Sequence, residues 1–222
     1  MYRLAVSLKG DPGTPIPWTW RNQVQGWLYA GLLRGKEVGH SRYSYLTYSL
    51  SLQPGEFVES RKGLMSASGE WVLRVASAIP GLIAHLEDAL RGMKEAPVPG
   101  LPVCVGDVTR EPLCDKVEFW AEPIVVIARD RSRFLVPGDG EFEKTVESAL
   151  TARYRAFLGE DVPGPISFAF AGRPRQVLAH YRGRKLIGFK GWVELRGPRE
   201  VRLFAQMVGL GHKPSCGFGM VM

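Results

Sequence analysis

The last fourteen residues of the chain combine groups that can bind an anion. Four glycines lie there together with one histidine and one lysine: Gly209, Gly211, Gly217, Gly219, His212 and Lys213. Glycine takes up positive φ without a steric penalty, so successive N–H groups of such a loop can turn toward a phosphate. The sequence therefore predicts a phosphate backbone as the first ligand of this loop. The alternative is a glycine-rich tail that only turns the chain into a last strand at residues 218–222.

Positive charge is concentrated beside this loop. The formal net charge of the whole chain is +7. Between Arg173 and Lys213, ten basic residues stand against only two acidic ones, Glu194 and Glu200, so this segment alone exceeds the charge of the whole chain. Such a local surplus is the electrostatic footprint expected for a polyanionic ligand such as a nucleic acid. A basic face that is merely solvated is the alternative interpretation.

Several classes of protein are disfavoured by composition. The four histidines lack the H-x-x-x-H spacing of metal ligands, and the three cysteines lack C-x-x-C spacing, so we expect no metal and no cofactor. No stretch approaches the roughly 18 consecutive apolar residues of a membrane-spanning helix. The first residues alternate as a strand at 2–9 instead of forming a signal peptide, so the expected location is the cytoplasm, without a membrane partner.

The periodicity of apolar residues predicts a repeated order of strands and helices. Helices are predicted at 19–34, 79–95, 139–158 and 198–208. Strands are predicted at 2–9, 45–52, 61–66, 71–78 and 102–108, and again at 123–127, 133–136, 166–170, 175–181 and 187–195. This order describes an α+β protein with two β-α-β-β-α-β halves, residues 1–112 and 113–222, of which the second ends in the glycine-rich loop.

Four segments of the chain together resemble a known family. They are Pro17-Trp-Thr-Trp with Gln23-Val-Gln-Gly-Trp-Leu-Tyr; His40-Ser-Arg-Tyr-Ser-Tyr-Leu-Thr-Tyr-Ser-Leu; Glu122-Pro-Ile-Val-Val with Glu141-Phe-Glu; and Phe189-Lys-Gly-Trp-Val-Glu-Leu-Arg-Gly with the glycine-rich loop. In these segments, which span nearly the whole chain, the protein resembles the CRISPR-associated endoribonucleases of the RAMP superfamily, which process precursor CRISPR RNA by cutting inside each repeat. The resemblance implies two tandem ferredoxin-like (RRM-like) domains.

The resemblance also implies a metal-independent reaction in which the RNA 2′-OH attacks the adjacent phosphorus, leaving 5′-OH and 2′,3′-cyclic phosphate ends. His40 occupies the place of the family's catalytic histidine, and an imidazole suits proton transfer near neutral pH. Tyr29 resembles a tyrosine that some members bring near this histidine, and packing in the core is the alternative interpretation. The family often uses a lysine after the histidine. Here no lysine occurs between Lys36 and Lys62, so Arg42 is the expected electrostatic helper.

The residues expected to bind RNA come from the basic segment and the glycine-rich loop. They are Lys36, Arg182, Arg184, Lys185, Lys190, Gly209, Gly211, His212, Lys213, Gly217 and Gly219. Trp192 and Phe189 are candidates for stacking on bases, but strand alternation places at least one of them in the core. CRISPR repeat RNA is the expected partner, with a CRISPR effector complex as a further one, and a homodimer is left open.

Two other functions are alternatives. A catalytically inert RNA-binding RAMP subunit of a CRISPR effector complex would bind the repeat without cutting it. A ferredoxin-like metabolic enzyme or ligand sensor would need a small-molecule pocket, for which the sequence shows no motif.

Overall fold

The computed structural model of the protein describes residues 1–34, 45–52, 58–59 and 63–222. Four α-helices lie within these residues: α1 Trp20–Gly26, α2 Pro80–Gly92, α3 Glu141–Leu158 and α4 Arg199–Val208. The strands described in the first half are β1 Tyr2–Lys9, β2 Ile16–Pro17, β3 Leu46–Leu52, β4 Val58–Glu59, β5 Gly63–Met65, β6 Glu70–Ser77 and β7 Cys104–Pro112. Those of the second half are β8 Glu118–Ile124, β9 Ser167–Phe170, β10 Arg175–Tyr181 and β11 Arg184–Arg196.

The first half is built on an antiparallel sheet with strand order β3-β6-β1-β7. In β1 the alternation of apolar residues buries Leu4, Val6 and Leu8 on one face, and α1 and α2 pack on that face. Because the two helices connect β1 to β3 and β6 to β7, the element order and the strand order are those of a ferredoxin-like fold. The short strands β2, β5 and β4 form a separate small sheet.

The helix predicted at 19–34 has two parts. After α1, residues Trp27–Leu32 continue as a π-helix, and the Leu33 N–H donates to the Leu28 carbonyl oxygen at 2.9 Å. A π-helical segment changes which side chains share a face, and such segments are frequent near functional sites. Apolar spacing at a period of 3.6 residues contains no signal for this change.

The second half repeats the ferredoxin-like order. β11 pairs along one edge with β10 and β9, and along the other edge with β8. The last residues pair with the free edge of β8, since Glu122 N–H donates to Met220 O at 2.8 Å and Trp120 N–H donates to Met222 O at 2.9 Å. With α3 and α4 packed on one face of this sheet, the predicted α+β fold with two tandem ferredoxin-like halves is confirmed.

The two halves touch through described side chains. The Tyr45 ring lies 4.8 Å from the Phe157 ring, measured between centroids, and Arg3 Nη1 donates to Val221 O at 3.1 Å. The division of the chain into domains 1–112 and 113–222 stays a prediction. Among the described helices none is both long and apolar enough to cross a membrane.

Candidate nucleic-acid interface

The glycine-rich loop at 209–222 docks against α1 of the first half. Arg21 Nε donates to Gly217 O at 3.1 Å, and Gln25 Nε2 donates to Ser215 O at 3.0 Å. Arg21 and Gln25 are four residues apart and therefore share one face of α1. One turn of the helix thus binds the loop through the two carbonyl oxygens.

Arg21 is a buried cation that sequence reasoning missed. Its guanidinium lies between the rings of Trp20 and Phe218, 4.4 and 4.6 Å from their centroids. Burial lowers the pKa of Arg21 to about 10, and the nearby Glu122 carboxylate partly opposes this shift. The guanidinium therefore stays protonated near neutral pH and carries a positive charge into the junction of loop and helix.

The four glycines of the loop have left-handed backbones, with φ of 72° at Gly209, 69° at Gly211, 79° at Gly217 and 68° at Gly219. Close packing accompanies this geometry, since a Cβ on Gly219 would lie 2.0 Å from Leu210 O and one on Gly217 would lie 2.8 Å from the Tyr48 ring. The predicted positive φ is confirmed.

The sequence predicts that N–H groups of the loop turn toward an anion, but three of them donate to carbonyl oxygens of the protein. Those of Gly209, Gly217 and Gly219 donate to Ala205 O, Pro214 O and Pro123 O, at 2.8, 3.1 and 3.0 Å. These three donors are therefore used inside the protein, and glycine is required by packing and backbone conformation. RNA binding by the loop itself stays a prediction.

His212 and Arg153 hold the start of the loop. His212 Nδ1 accepts a hydrogen bond from Ile127 N–H at 3.0 Å, so the proton of the neutral ring is on Nε2. Burial, followed by the charges of Arg153 and Lys213, lowers the pKa of His212. Arg153, which the sequence did not single out, donates to Val208 O, Gly209 O and Gly211 O at 3.1, 2.8 and 2.8 Å.

A hairpin of the second sheet also reaches α1. Arg182 and Gly183 connect β10 to β11 with φ of 48° and 73°, the geometry of a tight two-residue turn. Gln25 Oε1 accepts hydrogen bonds from the Tyr181 hydroxyl and from Arg182 Nη2, the latter at 3.2 Å. Gln25 therefore contacts both the hairpin and the glycine-rich loop, and this convergence places Arg182 beside them.

The remaining predicted RNA-binding residues are distributed along the same part of the second half. Arg184 and Lys185 are exposed at the start of β11, and Lys213 is exposed in the loop. Lys190 is half-buried farther along β11, opposite Arg175 of β10. Arg182, Arg184 and Lys185 lie at the tip of the hairpin, where Arg182 contacts α1. Lys213 lies near Ser215, whose carbonyl oxygen binds Gln25, and Lys190 lies toward the other end of the hairpin.

The candidate catalytic residues are only partly described. Tyr29 lies in the π-helical segment, half-buried, and packs against the first core. Lys36, His40 and Arg42 lie outside the described residues. In the sequence they lie between the π-helix and β3. The start of β3 contacts the glycine-rich loop, because Thr47 and Tyr48 border Gly209 and Gly217.

Fold and site together define a class of protein with two ferredoxin-like halves. A glycine-rich loop at the end of the second half docks on the first half, beside a cationic hairpin. Residues 121–222 match the family model described as CRISPR associated protein Cas6, C-terminal. This match, together with the similar structures below, confirms the predicted resemblance to CRISPR-associated RAMP proteins. A search of the curated proteins found no match.

Solved structures share the fold over the whole chain. A structure named CRISPR associated protein Cas6 superimposes with a TM-score of 0.81 at 19% identity, covering 100% of this chain and 98% of its own. A RAMP protein described as binding different RNA substrates gives 0.81 at 20% identity with the same coverages. A Cas6 product complex gives 0.68 at 17% identity, again covering 100% and 98%.

Proposed function

We propose that the protein is a metal-independent endoribonuclease that cleaves CRISPR repeat RNA. The observation that carries this proposal is the docking of the Cas6-type glycine-rich loop on α1 and against the start of β3, the strand that follows His40 in the sequence. Gln25 links this loop to the hairpin that bears Arg182. The arrangement supports a site in which RNA phosphates meet the cationic hairpin while the scissile phosphate lies near His40.

The reaction that fits these residues needs no group beyond the protein and the RNA. His40 removes the proton of the 2′-OH, the 2′-oxygen forms a bond to phosphorus, and the bond from phosphorus to the 5′-oxygen breaks. The departing 5′-oxygen takes up a proton, which leaves 5′-OH and 2′,3′-cyclic phosphate ends. Arg42, with Lys36 as the other nearby cation, offsets the negative charge that develops on the phosphate. Tyr29 is the further candidate, as a hydrogen-bond donor to this phosphate.

RNA binding in this proposal comes from the exposed cations, whereas the glycines shape the loop. Arg182, Arg184, Lys185 and Lys213 each neutralise a phosphate and release counterions, so the affinity falls as salt rises. His212 is a weak candidate for proton transfer, because its Nδ1 is occupied by the Ile127 N–H and its pKa is lowered. It keeps Lys213 in place by fixing the loop to the segment that follows β8.

One observation favours a second candidate function. The family's lysine after the catalytic histidine has no counterpart here, since no lysine lies between Lys36 and Lys62. A protein that has lost this group would still present the cationic hairpin and the docked loop. It would then act as a catalytically inert subunit that holds CRISPR RNA in an effector complex.

The deciding experiment is incubation of the purified protein in excess EDTA with the CRISPR repeat RNA of its own genome. A matched RNA carries a single 2′-deoxy substitution at the mapped cut site. Cleavage of the first RNA to a 2′,3′-cyclic phosphate end, blocked in the second, supports the endoribonuclease. Tight binding of both RNAs without cleavage supports the inert subunit, and cleavage that requires an added divalent ion contradicts the proposed mechanism.

A further inference from the structure

The second sheet has one face covered by helices and an opposite face that carries an aromatic pair. In β11, Val193 and Leu195 are buried in the core beneath α3 and α4. Side chains of a strand alternate between its two faces, so Trp192, Glu194 and Arg196 lie on the opposite face. Trp120 of β8 lies there too, because it is the cross-strand partner of Trp192.

Trp192 presents a large part of its ring to solvent. Trp192 is 54% exposed. Among the described residues, it is the only aromatic residue in the group of large hydrophobic residues that are exposed. Trp120 braces it edge to face, with 5.9 Å between centroids and 78° between ring planes. Trp120 itself is oriented by a hydrogen bond from its Nε1 to Glu122 Oε1 at 3.4 Å. The platform is therefore pre-oriented and open to a stacking partner.

Cations flank this platform on the side toward the hairpin tip. Lys190 is the cross-strand partner of Arg175. In β10, Arg175 lies on the same face as Ala179 and Tyr181, which pack with the loop residue Phe218 on the side of the sheet away from the helices. Lys190 and Arg175 therefore share the open face with Trp192.

Carboxylates border the other side of the platform. Glu194 pairs with Arg196 at 2.8 Å, so its charge is balanced, and its cross-strand partner is Glu118. Carboxylate oxygens accept hydrogen bonds from the amino groups of bases, whereas phosphates favour the cationic side. An aromatic ring between cations and carboxylates therefore matches a nucleotide, with its base over the ring and its phosphate toward Lys190.

We propose that Trp192 stacks an unpaired base of the bound RNA, at a subsite separate from the scissile phosphate. The proposal rests on the proposed function, since it takes the repeat RNA as the ligand. Trp192 is eight residues along β11 from Arg184, a path of about 26 Å at about 3.3 Å per residue. A single strand that follows the cationic hairpin from α1 thus reaches the platform after a few nucleotides.

The test compares three variants of the full-length protein for binding to the repeat RNA in EDTA. Trp192→Ala is expected to weaken binding about 5- to 150-fold, the effect of losing one stacked base. Trp192→Phe is expected to recover most of this loss. Leu178→Ala is the matched control, because Leu178 is 52% exposed on β10 of the same sheet, on the face opposite that of Arg175, and its change is expected to leave the affinity unaltered.

A second measurement reports stacking directly. RNA substituted with 5-iodouridine at successive positions is crosslinked by ultraviolet light, and the tryptic peptide Gly191–Arg196 is analysed by mass spectrometry. A crosslink to this peptide from one or two RNA positions, absent in Trp192→Ala, supports the subsite. Equal affinity of Trp192→Ala and the unaltered protein, or no crosslink to the peptide, overturns the subsite alone. Failure of the unaltered protein to bind the RNA overturns the proposed function and the subsite together.

Discussion

Replacing Gly219 by alanine tests whether close packing holds the glycine-rich loop. Gly219 has φ of +68°, and its added Cβ would lie 2.0 Å from Leu210 O. Gly159 is the matched control, because it has φ of +74° at the end of α3 with no atom within 4 Å of an added Cβ. Both variants carry the left-handed penalty of about 1–2 kcal/mol, which is the whole effect expected for Gly159→Ala.

Gly219→Ala has a further effect, because the loop must move to relieve the contact. Movement loosens two hydrogen bonds, Leu210 N–H to Gly219 O at 2.7 Å and Gly219 N–H to Pro123 O at 3.0 Å. With about 1 kcal/mol for each bond, the expected loss in the free energy of unfolding is about 3–4 kcal/mol. Urea denaturation followed by circular dichroism measures both variants. Equal destabilisation by the two substitutions would refute the packing argument.

Two further predictions concern the charge of the site. The pKa of His212 is lowered in the folded state, so its contribution to stability is present above the unfolded pKa of about 6.5 and is lost as pH falls through the lower folded value. His212→Asn keeps an acceptor for the Ile127 N–H and should flatten the fall of the urea midpoint below that pH; an unchanged slope would contradict the assignment. Replacing Arg184 and Lys185 together by glutamine should reduce the slope of log affinity against log salt by about 1.4, at roughly 0.7 per phosphate contact. Arg155→Gln, which removes an exposed cation of α3, is the control, and an equal change in both slopes would show that only net charge matters.

The element pattern and the fold class could be predicted from the sequence because they depend on local periodicity. The alternation of β1 and the apolar stripes of α2, α3 and α4 each describe one buried face, which is what the periodicity measures. The glycine-rich loop, with three other segments, predicted the resemblance to CRISPR-associated RAMP proteins. The π-helix after α1 was not predictable in this way, since a change in helical hydrogen bonding leaves no mark on the spacing of apolar residues.

The junction of the two halves was harder to predict than the halves themselves. Arginine is usually found at the surface, but Arg21 and Arg153 are both buried. Each donates to a backbone carbonyl oxygen of the glycine-rich loop. Their partners lie more than fifty residues away in the sequence, and no local pattern marks such contacts. Conversely, the glycines suggested phosphate-binding N–H groups. Those of Gly209 and Gly217 instead close local turns, and that of Gly219 donates to Pro123 O, which only the tertiary fold brings close.

The platform illustrates how strand register separates two similar aromatic residues. Phe189 and Trp192 are three residues apart in β11, and alternation in a regular strand would put them on opposite faces. The structure agrees, because Phe189 is buried in the second core and Trp192 is exposed. The irregularity in pairing between Phe189 and Gly191 could not be seen in the sequence.

The most direct test of the central claim is the single-turnover cleavage rate of His40→Ala on its repeat RNA in EDTA. Loss of the general base is expected to slow cleavage about 10²- to 10⁴-fold, while the affinity for the RNA, measured in the same buffer, stays within twofold of that of the unaltered protein. Cleavage by His40→Ala at the rate of the unaltered protein, at the same site and with the same ends, would contradict the account.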